Sequence, residues 1–166
     1  ADRIVYEAVM QLLAPTIQAE LYEEVFSARV VPARDGWLVP ENPIKAWVKF
    51  QDRGRALVGM YADACMLTTD ITSYFEFISR PILSKQLKKL HGLDTDAATF
   101  IVDFLDEISA TTYMHGVPQG PEVSALLGNI YLLPVDAALR SMGLRFIRYQ
   151  DDIKVFADHP YELRKA

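Results

Sequence analysis

Hydrophobic spacing along the chain switches several times between helical and strand-like periods, and the switches fall at proline and glycine clusters. Ile4, Val5, Val9, Leu12 and Leu13 recur at helical intervals from about residue 3, stop at Pro15, and resume at Ile17, Leu21 and Val25. Residues 29–43 contain Pro32, Gly36, Pro40 and Pro43 and predict a loop or short hairpin. Asn42 offers a side-chain cap with Pro43 at the first helical position, so a helix is expected through Trp47 and Phe50 toward Leu57. Trp47 reads as a core anchor of that helix. Residues 64–71 predict a strand ending in Thr68-Thr69-Asp70. Helical spacing returns at 81–90 and 95–108, parted by His91-Gly92, where His91 reads as a helix-end cation.

The segment Gly116-Val117-Pro118-Gln119-Gly120-Pro121 predicts a rigid loop that opens a helix, with Pro121 and Glu122 in its first turn. Pro134 removes a backbone donor and predicts a kink there, freeing the carbonyl of Ile130. Two β-prone runs, 145–148 and 153–157, flank Tyr149-Gln150-Asp151-Asp152. The stretch from Tyr161 reads as a turn of helix entered through Asp158 and Pro160. This order predicts an α+β domain with a small antiparallel sheet packed on helices.

If the strand ending at Asp70 pairs beside the hairpin, Asp70 meets Asp151 although the two are far apart in sequence. Close carboxylates repel, and one must hold its proton unless a cation lies between them. Hard divalent cations such as Mg²⁺ prefer such oxygens and keep waters or substrate phosphates as their remaining ligands. An Asp-Asp pair at a hairpin tip is also common turn chemistry, so the pair by itself leaves both readings open.

Size and charge narrow the picture. With 166 residues and 51% hydrophobic content the chain can bury a core. No apolar run is expected to span a bilayer, no signal-peptide pattern is present, and the single cysteine, Cys65, cannot form an internal disulfide. Cys65 reads as a buried structural thiol, and a reducing cytoplasm is the expected compartment. The net charge of −5 argues against a chain that grips nucleic acid by itself. Lys45, Lys49, Arg53 and Arg55, and Lys85, Lys88 and Lys89, form local basic clusters that read either as solvated helix faces or as phosphate contacts. The start at Ala1-Asp2 and the stop at Ala166 are read as those of a piece cut from a longer protein.

Three segments in order carry a family resemblance. Thr69-Asp70-Ile71-Thr72-Ser73-Tyr74-Phe75, then Gly116-Val117-Pro118-Gln119-Gly120-Pro121 with Ser124 and Asn129, then Tyr149-Gln150-Asp151-Asp152 resemble the three palm motifs of reverse transcriptases. Asp2-Arg3-Ile4-Val5 is similar to the start of a fingers helix in the bacterial, group II intron-like branch. The resemblance implies partial fingers at 1–60, palm with the first metal aspartate at 61–79, helical fingers at 80–112 and palm at 113–166, with the thumb absent.

It implies an RNA-directed DNA polymerase in which a primer 3′-hydroxyl attacks the α-phosphate of a dNTP. Asp70, Asp151 and Asp152 would be the catalytic carboxylates. Asp70 and Asp151 would ligate two Mg²⁺ ions, with Mn²⁺ as a substitute, helped by the carbonyl of Ile71, and Asp152 would be the outer ligand. Tyr74, Phe75 and Gln119 would meet the nucleotide, Phe75 as the aromatic that leaves no room for a 2′-hydroxyl. Plain core packing is the other reading of Phe75. Gly120 and Pro121 would line the template and primer, and Tyr149 would support the hairpin near the primer end.

The implied partners are an RNA template, a DNA or protein primer, dNTPs and the remaining fingers and thumb of the parent chain, with no membrane. On this reading the piece by itself has weak activity or none. Ser124 is followed by Ala125 where intron-type enzymes commonly have proline, and Gln150 fills a position usually small or apolar. The wording from Thr69 to Glu76 and from Gln119 to Glu122 resembles bacterial defence-associated reverse transcriptases, including the abortive-infection type that acts against phage. Two alternatives stand beside this: an RNA-directed RNA polymerase palm, which usually places a polar residue near the Phe75 position, and a non-catalytic module of the same fold that binds nucleic acid or a partner.

Overall fold

The computed structural model describes residues 2–60, 65–112, 115–120 and 122–164. The chain divides into two compact units, each assembled from separate stretches: 1–21, 28–40 and 73–131 in the first, and 22–27, 41–72 and 132–166 in the second.

Among the described residues the first unit is helical apart from one hairpin. Helix α1 (Asp2–Glu20) runs through Pro15 without the expected break. Proline costs one backbone hydrogen bond there, but Leu13, Ala14 and Ile17 around it are completely buried, which holds the helical path. Strands β1 (Val30–Pro32) and β2 (Leu38–Pro40) form the short hairpin with Val31 opposite Val39. Two glutamines of α1 tether it. Gln11 donates to the Leu38 carbonyl at 2.7 Å and accepts from its N–H at 3.3 Å, while Gln18 accepts from the N–H of Val30 at 3.2 Å.

Helix α3 (Tyr74–Phe77) is too short to carry a periodic signal, and no helix was expected there. Helices α4 (Arg80–Leu87) and α5 (Thr95–Thr112) follow the predicted pattern, with Leu83, Leu87, Ile101 and Leu105 buried. Arg80 joins them to the loop that follows α5: its guanidinium donates to the Gly116 carbonyl at 2.9 Å, to Asp106 at 2.5 Å and to Ser109. His91 lies beside the Glu20 carboxylate at 3.0 Å rather than only capping its own helix.

Helix α6 (Glu122–Ser141) contributes residues to both units and continues through Pro134 as one element. It is long and apolar enough to cross a membrane by length and composition, which corrects the sequence expectation on that point. More than half of its apolar window is buried within the protein, as in the core helix of any folded domain.

The second unit is built on a three-stranded antiparallel sheet clad on both faces. Helix α2 (Pro43–Gly59) starts as expected, the Asn42 side chain accepting from the N–H groups of Ile44 at 3.0 Å and Lys45 at 3.1 Å. The strands are β3 (Cys65–Thr69), β4 (Arg145–Tyr149) and β5 (Asp152–Ala157), and a closing helix α7 (Pro160–Leu163) follows.

Alternation along the strands sends Ile147 and Phe156 to α2, where Phe50 and Leu57 meet them. Gly54 lets α2 come close, since a Cβ there would lie 3.3 Å from Ile147 Cδ1. The opposite face buries Phe146, Ile153 and Val155 with Leu139 of α6. Residues 24–26 run beside β4, the Arg148 N–H donating to the Glu24 carbonyl at 2.8 Å and the Phe26 N–H to the Arg148 carbonyl at 2.9 Å. In the order β3-β5-β4, β3 has β5 as its one strand neighbour among the described residues, and Met66 and Leu67 on it are 49% and 40% exposed. The α+β class with a small antiparallel sheet on helices is therefore the observed one.

Candidate catalytic carboxylate site

The site is built at one end of this sheet. Strand β3 pairs with β5 up to Thr69 opposite Ile153, and β4 pairs with β5 up to Tyr149 opposite Asp152. Asp70 directly follows β3, Asp152 opens β5, and Gln150-Asp151 form the two-residue turn between β4 and β5. The three aspartates, together with Ile71 and Tyr149, thus belong to the second unit.

The turn is unusual in its chemistry. Gln150 has φ of +57° while Asp151 does not share a positive φ, the pattern of a type II′ hairpin turn, in which glycine is the favoured residue. A side chain in that region costs roughly 1–2 kcal/mol. Hydrogen bonds on either side hold it. The Gln150 N–H donates to Ser27 Oγ at 2.7 Å, and Arg148 Nη1 donates to the Gln150 carbonyl at 2.9 Å. Tyr149 is fixed as well, donating to the Pro43 carbonyl at 3.3 Å and packing edge-on to Trp47 with ring centroids 5.1 Å apart. Trp47 is thus a half-exposed partner of Tyr149 rather than a fully buried anchor. Burial, and then the Glu41 carboxylate, push the Tyr149 hydroxyl above its ordinary pKa.

Burial and neighbouring charge perturb two of the carboxylates. Asp151 is held above the usual carboxylate range by burial, a shift opposed by a hydrogen bond to its own backbone and reinforced by the charges of Asp70 and Asp152. Asp152 is raised by burial and by Asp70, with Lys154 opposing. One oxygen of Asp152, Oδ1, is buried with no hydrogen-bond partner. Among the described residues no three His, Cys, Asp or Glu side chains already form a closed ligand cluster. An orphaned carboxylate oxygen beside mutually repelling aspartates nonetheless fits a hard divalent cation that takes its other ligands from water and phosphate.

Tyr74, Phe75, Gln119 and Gly120 belong to the first unit, where two of the sequence motifs meet. The Val117 N–H donates to the Phe75 carbonyl at 2.9 Å. Gly116, with φ of +71°, sits where a Cβ would fall on the Phe75 carbonyl and within 2.6 Å of that of Glu76. Buried Tyr74 donates its hydroxyl to the Gly128 carbonyl in α6 at 2.6 Å, and Phe75 is half-buried beside it with rings 5.2 Å apart. Gln119 and Gly120 are exposed, Gly120 at φ of +106°. Pro121 lies outside the described residues.

Sequence reasoning missed the residues that support the turn. Arg148 is completely buried, and its guanidinium forks onto the equally buried Asp136 of α6, Nε to Oδ1 at 2.8 Å and Nη2 to Oδ2 at 2.6 Å. A charged residue inside an apolar strand and an aspartate inside an apolar helix were the available signals. Ser27 gave none.

Neighbouring carboxylates at a strand end are a donor set that suits a hard divalent cation. The family model for reverse transcriptase (RNA-dependent DNA polymerase) matches residues 11–166, so the chain belongs to that family. No curated protein matches its sequence.

Proposed function

We propose that this chain carries the catalytic core of an RNA-directed DNA polymerase, joining dNTPs to a primer 3′-hydroxyl on an RNA template. The observation that carries the reading is the juxtaposition of Asp70 with Asp151 and Asp152 in a reverse-transcriptase-family chain, with the buried Asp152 Oδ1 left for a ligand. Asp70 and Asp151, with the Ile71 carbonyl, would hold two Mg²⁺ ions, and Asp152 would be the outer carboxylate. Bound there, the metals would lower the charge barrier to attack and to departure of pyrophosphate.

The protein's own task is positioning and electrostatics. Phe75 would exclude a 2′-hydroxyl, Tyr74 would hold that ring in place, and Gln119, Gly120 and Pro121 would border the nascent pair. Tyr149 would steady the hairpin at the primer end. In this reading the sheet-bearing segments are palm and the helical ones are fingers. The wording of the motifs supports a bacterial retroelement or anti-phage setting.

Primer extension by the full-length parent enzyme on an RNA template, with Mg²⁺ and either dNTPs or rNTPs, tests this. DNA synthesis abolished by Asp151→Asn is the expected result. Synthesis from rNTPs alone would transfer the reading to an RNA polymerase, and no synthesis with tight RNA binding would make it a binding module.

A further inference from the structure

We infer that Asp136 and Arg148 are positioning residues for the catalytic turn, acting through the carbonyl of Gln150. The inference rests on the polymerase reading above. Arg148 and Asp136 are both 0% exposed and joined by a bidentate fork. A buried ion pair is a poor source of stability, because desolvating two charges takes back most of their attraction and an apolar pair of similar volume does as well or better. Its value lies in geometry: a guanidinium is planar and its donors point in fixed directions.

Here Nε and Nη2 are locked onto a carboxylate of α6, and the remaining arm, Nη1, reaches the Gln150 carbonyl at 2.9 Å. Ser27 Oγ accepts from the N–H of the same residue, Gln150, at 2.7 Å. Gln150 is thus gripped at both its N–H and its C=O, at the one position of the turn whose φ of +57° does not suit its side chain. The next two residues are Asp151 and Asp152. The helix core is in this way coupled to the direction in which both carboxylates leave the sheet, and a displacement of about 1 Å at such groups is worth about 10²-fold in rate.

The experiment uses the full-length parent enzyme and the paired substitution Asp136→Leu with Arg148→Met, which removes both charges together so that neither buried charge is left without its counterpart. Melting temperature, kcat and KM for dNTP, the Mg²⁺ midpoint of activity, and amide hydrogen exchange at residues 150–152 are measured. The expected result is a melting temperature close to wild type, kcat lower by about 10²-fold with KM little changed, a higher Mg²⁺ midpoint, and faster exchange in the turn. Ser27→Ala, which leaves the ion pair intact, should move the same quantities in the same direction by less.

Unchanged kcat, Mg²⁺ midpoint and exchange in the paired variant would overturn the inference and leave the ion pair a packing element. If the paired variant does not fold, Ser27→Ala and Arg148→Lys decide, the latter keeping the charge but losing the fork. Normal turn exchange and Mg²⁺ midpoint in both would overturn it. A wild-type parent with no polymerase activity would sink the polymerase reading instead, and turn exchange would still decide whether the pair orders the turn.

Discussion

Asp70 directly follows the last β3–β5 pair, Thr69 with Ile153, and its charge acts on Asp152, the first residue of β5. Burial penalises the charged forms of Asp151 and Asp152, and the nearby like charge of Asp70 adds to it. Both groups keep their proton to a higher pH folded than unfolded. Their contribution therefore favours folding below about 3.8, the unfolded value, and is lost as pH rises through the raised folded values.

Asp151→Asn should accordingly stabilise the metal-free protein at neutral pH. Thermal unfolding in chelator should give a higher midpoint than wild type, on the scale of about 2–4 °C for each kcal/mol relieved. The gain should vanish near pH 3.5, about where the unfolded carboxylates take up protons. A lower midpoint at pH 7 would mean that Asp151 stabilises the fold and that its strain is not functional.

Mg²⁺ should reverse the order. Saturating the wild type at ten times its dissociation constant should add about 1.4 kcal/mol, and Asp151→Asn should gain much less. Because protons compete for the raised carboxyls, the wild-type response should weaken as pH falls from neutral. A thermal shift equal in both proteins, or independent of pH, would dissociate metal binding from these aspartates.

Phe75 should govern the choice of sugar. Phe75→Ala in the parent enzyme should raise the use of rNTPs relative to dNTPs by about 10–200-fold, the range over which apolar contacts discriminate substrates. An unchanged ratio would return Phe75 to core packing.

Gly116→Ala should be far more damaging than a surface glycine substitution. The new Cβ would collide with the carbonyls of Phe75 and Glu76, and the positive φ disfavours any side chain. A loss of at least about 2 kcal/mol is expected, with α3 displaced. Denaturant unfolding checks it, with Gly36→Ala, whose Cβ meets open space, as the comparison for φ strain alone.

Much of this architecture was legible in the chain. Asn42-Pro43 marked the start of α2 because a capping side chain and a missing N–H both act locally. The β4–β5 hairpin and the approach of Asp70 to it followed from strand period and motif order. Pro15 misled, because the cost of one lost hydrogen bond was outweighed by burial contributed from elsewhere in the fold. Helix α3 is a single turn and leaves no periodic trace. Arg148, Asp136 and Ser27 were invisible as a set, since their connection exists only once α6, β4 and residues 22–27 lie side by side.

Strand β3 carries a last consequence, for handling the chain in concentrated solution. Its outer rim of backbone donors and acceptors has no strand beside it among the described residues, and Met66 and Leu67 leave apolar surface there. No lysine, proline or bulge blunts β3. Copies of this chain prepared without a covering segment therefore carry a ready template for strand-to-strand association, and the strand that delivers Asp70 to its partners is also the one through which two molecules would clump.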